Sequence, residues 1–277
     1  MTGTTPCTYS SVGEIAGIAD SSYNALQVSL KKRFARGFSM LASYTFSKTL
    51  DDVSSFNITG SASQSVAGEN DLAQNPFDVK SEWGRSMFDA RHRFVVSYQW
   101  NLPWFQHPQT WYGHILGNWQ VNGITTLMSN TPFTVYDSSN PSLQGSAPEI
   151  SGFFSSRPDI VDNPNSGSCD VNGVSIPVRT AGCWFNTSAF AHAAIGTFGN
   201  VGRNTMDGPA FQQWDFSAIK MIPIHERMNL QFRAEIFNIF NNVNFELPNN
   251  DINSPGFGQI EAAQPGRIVQ LALKFTF

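Results

Sequence analysis

RMNLQFRAEIF, residues 227–237, decides the fold: Met228, Leu230, Phe232, Ala234 and Ile236 alternate without error against Asn229, Gln231, Arg233 and Glu235. A period of two over ten residues is the signature of a strand with one apolar and one polar face. A helix is ruled out because Arg233 and Glu235 would fall inside any apolar stripe of period 3.6. The same alternation returns in the last segment, RIVQLALKFTF at 267–277. There Val269, Leu271, Leu273, Phe275 and Phe277 share one face against Gln270, Lys274 and Thr276.

Working outward from these two segments finds five more. Residues 22–33 set Leu26, Val28 and Leu30 against Gln27, Ser29 and Lys31. A tight turn at 35–37 leads into 38–48, with Phe38, Met40, Ala42, Tyr44 and Phe46 on one face and Leu41 as the exception. Residues 93–102 alternate Phe94, Val96, Tyr98, Trp100 and Leu102 with Arg93, Ser97, Gln99 and Asn101. Residues 119–135 carry Trp119, Val121, Thr125 and Leu127 opposite Gln120, Asn122 and Thr126, blurred by Ile124 and Met128. Residues 211–221, with Trp214 and Phe216 opposite Gln213, Asp215 and Ser217, complete a set of about seven strands. The expected fold is therefore all-β and antiparallel. Residues 1–21 read as an outer loop or truncated N-terminus, and 22–277 as one barrel portion.

Composition narrows the setting. Among 277 residues, charged ones make up only 14% and aromatic ones 13%, with 23 Phe and 7 Trp. That is well under the roughly 25% charge of soluble domains. No apolar run is long enough for a transmembrane helix, but ten-residue strands with one lipid face and one wet face are what a membrane barrel uses. About ten residues rising roughly 3.3 Å each, tilted near 40°, cover an apolar band of roughly 25 Å. A net charge of -4 without a basic stripe argues against nucleic acid as a partner. The first residues show no charged n-region followed by an apolar h-region, as an export signal would.

Connection lengths alternate. If the chain finishes on the periplasmic side, the short turns at 35–37, 103–118 and 222–226 all fall inside, and the long loops at 49–90, 136–210 and 238–266 all fall outside. This is the asymmetry of outer-membrane barrels.

Several segments, in order, resemble the C-terminal barrel of the Oar-like branch of TonB-dependent outer-membrane transporters: YNALQVSLKKRF (23–34), SYTFSKTLDD (43–52), FDARHRFVVSYQWNLP (88–103), GNWQVNGITTLMSNTPFTV (117–135), WFNTSAFAHAAIGTFGNVGRNTMDGP (184–209), LQFRAEIFNIFNNVNF (230–245) and FGQI (257–260). The resemblance implies a 22-strand-like barrel of which this chain is about the last third. It also implies a plug, with the box that contacts TonB, and further N-terminal barrel strands that this sequence does not contain, and an unknown bulky ligand. The alternatives are a passive porin or adhesive surface barrel without a plug, and a soluble secreted β-sandwich that binds carbohydrate.

Candidate functional residues fall into three sets. The row Val269, Leu271, Leu273, Phe275 and Phe277 resembles the signal read by the barrel-assembly machinery, against the plainer reading of an amphipathic last strand. Lys31, Arg93, Arg233, Glu235 and Lys274 share the expected lumen face, where a wet wall needs no ligand to explain its charge. Cys169 and Cys183 fit no zinc pattern, and an oxidising compartment would allow a bridge between them, with Cys7 left over. Lys220 falls on the lipid parity near the inner edge, where snorkelling is expected to make it tolerable. Asp51, Asp52, Glu69, Asp71, Asp78, Glu82 and Asp89 make the first long loop acidic at no calcium-loop spacing, so a solvated loop is expected. Trp83, Trp184 and Phe185 could stack a sugar or fold their loops inward. Gly196, Gly199 and Gly202 read as turns. His92, His107, His114, His192 and His225 are scattered, and no G-x-S-x-G or H-E-x-x-H occurs, so no catalytic, cofactor or metal site and no enzyme activity are expected.

Overall fold

The computed structural model describes residues 17–54, 73–104, 110–143, 156–225 and 228–277. Seven long strands form one antiparallel sheet: β1 (Ser21–Ala35), β2 (Phe38–Asp51), β3 (His92–Asn101), β4 (Trp119–Met128), β5 (Phe211–His225), β6 (Met228–Phe237) and β7 (Ile268–Thr276). Each strand pairs with its neighbour in sequence, so the sheet is a simple meander from β1 to β7. The two-residue strand Gly84–Arg85 pairs with the far end of β2.

The register carries the alternation from strand to strand. Lys32, Met40, Tyr98, Gly123, Phe216, Ile236 and Val269 form one continuous row across the sheet. On the opposite face Ser39, Gln99, Asn122, Ser217, Glu235 and Gln270 form another. Because a slip of one residue would exchange the faces, the agreement across seven strands fixes the pairing. Leu41 and Ile124, which break the pattern locally, prove to lie in one polar-face row with Lys31, Ser97 and Asp215. On the apolar face the Tyr98 ring lies across Gly123, where a Cβ would overlap it. The missing side chain gives the ring its seat.

Turns follow from backbone chemistry. Arg36 (φ 52°) and Gly37 (φ 78°) connect β1 to β2, so both central residues are left-handed, as a type I′ hairpin demands. The connection is thus two residues long rather than three. β5 runs on to His225, four residues past the expected end, and its link to β6 at 226–227 lies outside the described residues. Between β3 and β4 the chain forms a six-residue helix, α1 (Trp111–Leu116), which period-two reading does not anticipate.

The segment 119–135 is not a single strand. β4 stops at Met128, and Pro132–Phe133 pairs instead with Met206–Asp207, away from the sheet. Proline has no N–H for a sheet interior, and the apolar residues beyond it serve a different core. Phe133 and Val135 are 0% exposed and pack with Phe185, Ala189, Phe190, Val201 and Met206, flanked by Trp184, Leu247, Ile252 and Phe257. The loops between β4 and β5 and between β6 and β7 thereby build a folded cap at one end of the sheet. It includes the hairpin Ser168–Val171 and Val174–Pro177 and the pair Asp159–Ile160 with Phe190–Ala191.

Candidate functional site

The cap is assembled from residues remote in sequence. Phe185 lies at its centre, with ring centroids 5.8 Å from Phe133, 5.6 Å from Phe190 and 5.1 Å from Phe257. Trp184 donates its indole N–H to the Asp207 carbonyl at 2.8 Å and carries the Arg179 guanidinium over its ring. Both residues fold the loop inward, whereas Trp83 stays half exposed. Cys169, in the first strand of the 168–177 hairpin, and Cys183 are joined by a disulfide, and Cys7 lies outside the described residues. Gly199 admits no side chain, since a Cβ there would overlap the carbonyls of Arg157 and Pro158. Gly196 adopts φ +81°, consistent with a turn.

Of the acidic residues of the first long loop, Asp78 is exposed as expected, but Asp51, Glu82 and Asp89 are buried rather than solvated. Asp51 pairs with Arg203 and Glu82 with Arg157, and all four are buried. Asp89 is completely buried, held by Arg85 at 3.1 Å, Arg91 at 3.2 Å and the Thr49 N–H at 2.8 Å. Each guanidinium neutralises a carboxylate that burial would otherwise penalise, which is how an acidic loop becomes part of a folded cap. Asp52 receives the Asp20 N–H, and Glu69 and Asp71 lie outside the described residues.

A second polar cluster ties three segments together. The Asp137 carboxylate accepts from Ser139 and from Asn253 and lies 2.8 Å from Nδ1 of His192. Burial alone would push its proton affinity up, but the hydrogen bonds from Ser139, His192 and Asn253 together outweigh burial and hold the carboxyl below its ordinary range. Nearby, Thr134 and Asn204 bond each other, and Asn204 reaches the Arg85 carbonyl at 2.8 Å.

The five candidate lumen residues share the polar face but form no single site. Arg233 and Glu235 are 3.4 Å apart on β6, with Lys274 one strand over, opposite Gln231. Lys31 and Arg93 stand on β1 and β3, opposite Leu41 and Thr45. A groove of about 520 Å³ includes Lys31 with Ser39, Ser97, Gln99 and Asn122 and excludes the other four. Among the described residues no group of His, Cys, Asp and Glu is placed to hold a metal ion. Among the described residues no helix is long and apolar enough to cross a membrane, which says nothing about strands.

In β7, Val269, Leu271, Leu273 and Phe275 face Ile236, Ala234, Phe232 and Leu230 of β6. Phe277 follows the strand end, 92% exposed, its ring stacked on Phe275 at 6.0 Å. Lys220 stands in the apolar row between Trp119 and Phe232, and its ammonium reaches the carbonyls of Ile115 and Gly117 at 2.9 and 2.6 Å. Sequence reading placed Lys220 on this face but missed its partner, because α1 has too few residues to declare a period.

One family model, described as an outer membrane beta barrel domain, matches residues 3–270. The chain belongs to this family. The barrel family places it in the bacterial outer membrane, so the apolar rows face lipid and the polar rows face a wet lumen. Barrels of this membrane carry their long loops outside and their short turns inside, which puts the cap at the outer end and α1 at the periplasmic rim. No curated protein matches the chain.

Proposed function

We propose that this chain supplies the C-terminal strands of a TonB-dependent, Oar-like transporter that moves a bulky ligand across the outer membrane. The observation that carries this reading is the ordered set of segments from YNALQVSLKKRF to FGQI. Two features of the fold support it. The described sheet is an open row of seven strands with β1 and β7 at its edges, and each edge needs a further strand of the same barrel. The outer loops form a packed cap, a surface that can present a fixed constellation to a large solute. In this reading the plug and its TonB contact reside in chain preceding these strands, and no described residue couples energy. The apolar row ending at Phe277 serves the barrel-assembly machinery, which grips an exposed edge by strand pairing.

The test is conductance of the full-length barrel in a planar bilayer. A plugged transporter stays closed until denaturant unfolds the plug and then opens in steps. Large open channels without denaturant would instead favour a passive porin. A Phe277→Ser change should lower the amount of heat-modifiable barrel in the outer membrane, and unchanged assembly would remove the proposed role of the C-terminal row.

A further inference from the structure

We infer that α1 is a membrane-interface anchor, a short helix fastened to the lipid-facing wall and immersed in the headgroup region of the periplasmic leaflet. Its place is set by two side chains of the apolar rows. Lys220 donates to the Ile115 and Gly117 carbonyls, and the Trp119 indole N–H donates to the same Ile115 carbonyl at 3.0 Å. Both donors belong to the row that continues through Phe232 to Leu273, so the C-terminal end of α1 is held on the outside of the wall.

The arrangement answers two problems at once. A six-residue helix has no stability of its own in water, and its last carbonyls lack partners within the helix. An ammonium at that end satisfies them and complements the helix dipole. Conversely, a lysine on a lipid-facing row needs a polar partner, and the helix supplies it while the Lys220 ammonium also lies 5.3 Å from the Trp119 ring centroid.

What remains uncovered identifies the occupant. Trp111 is 75% exposed, and Ile115, Leu116 and the neighbouring Trp104 are each more than half exposed. The helix contains no acidic, lysine or arginine side chain, and its one ionisable basic group is the exposed His114, a side chain that headgroups accommodate. Trp100, edge-on to Trp104 at 6.1 Å, and Trp119, edge-on to Phe232 at 6.4 Å, continue the same level of the wall. Tryptophans at the end of an apolar band, beside an apolar helix lying on the lipid side, match the boundary between headgroups and acyl chains. The partner is the phospholipid interface itself.

The experiment places a nitroxide at Ile115→Cys in a Cys7→Ser background, in outer membranes isolated from cells making the protein, with a second label at Ile195→Cys in the cap as an aqueous reference. Collision with oxygen and with a water-soluble nickel chelate then reports depth. The expected result is a label at 115 about 5–10 Å below the headgroup surface, the depth of an interfacial helix, and a label at 195 open to the chelate. With Lys220→Met the label at 115 should become more mobile and more accessible to the chelate, while heat-modifiable barrel persists. If position 115 meets the chelate as freely as 195, or meets neither probe because protein covers it, the anchor is refuted. The depth measurement needs no change at Lys220, so it stands even if that variant fails to assemble.

Discussion

The sheet and the cap of this protein are stabilised in opposite ways. In the sheet β1 and β7 are exposed almost along their whole lengths, and the five strands between them are mostly half-buried. In the cap, by contrast, Phe133, Phe185, Val135, Asn204 and Asp137 are fully buried, and none of the largest fully buried side chains belongs to the seven long strands. Among the described residues Ile219 is the one buried apolar side chain of the seven long strands, so the wall has next to no protein core of its own. Its apolar rows are completed by lipid, and its backbone ladder, rather than packing, holds the strands. The cap is an ordinary water-facing fold with a hydrophobic centre, a disulfide and buried ion pairs, built at the end of a structure that needs none of these.

That contrast can be broken most forcefully at the cap centre. Phe185→Ala should cost about 3–5 kcal/mol locally, as large-to-small changes in packed cores do. Limited proteolysis of outer membranes should then cut the 129–210 loop while heat-modifiability of the barrel persists. Loss of the barrel along with the cap would show that the two regions fold as one unit. Nearly as large is the effect expected for Arg203→Met, which strands the buried Asp51 carboxylate at a cost of about 3–5 kcal/mol. The double change Arg203→Met with Asp51→Leu should recover much of the loss, measured by the same protease assay.

The disulfide comes next. Cys169→Ser with Cys183→Ser removes a bridge spanning 14 residues, for which chain-entropy arguments give about 3 kcal/mol. The loss should appear as protease cleavage near the 168–177 hairpin and leave the wall intact. Smallest is the acid response. Because the folded Asp137 carboxyl is held below its ordinary value, its contribution is present at neutral pH and lost as pH falls through that lowered value. Protease resistance of the loops joined at Asp137, His192 and Asn253 should fall only as pH drops below the ordinary carboxylate range. Asp137→Asn should flatten that dependence.

The two regions also differ in how far they could be read from sequence. The wall was legible because a strand writes its faces into every second residue, and the register joins Met40, Tyr98, Phe216, Ile236 and Val269 in one row. Even the blurred residue Ile124 was a correct member of the polar face. The cap left no such period. Its key contacts join Asp51 to Arg203 and Glu82 to Arg157 across more than seventy residues, so a loop that reads as acidic and solvated is neutralised by arginines from another loop. The strand expected to reach residue 135 ended at Met128 because Phe133 and Val135 belong to the cap core, and alternation alone does not say which core an apolar residue joins. α1 was invisible for a third reason, since six residues are too few to establish a helical period and its stability comes from Lys220 on another strand.

The central claim, a wall with one lipid face and one wet face, is tested most directly by single cysteines along β6 in a Cys7→Ser background. Outer membranes are treated with a membrane-impermeant maleimide. Cysteines at Gln231, Arg233 and Glu235 should be modified through the lumen, and those at Leu230, Phe232, Ala234 and Ile236 should be protected by lipid. Equal modification at both sets, or a pattern repeating every three to four residues, would contradict the barrel wall.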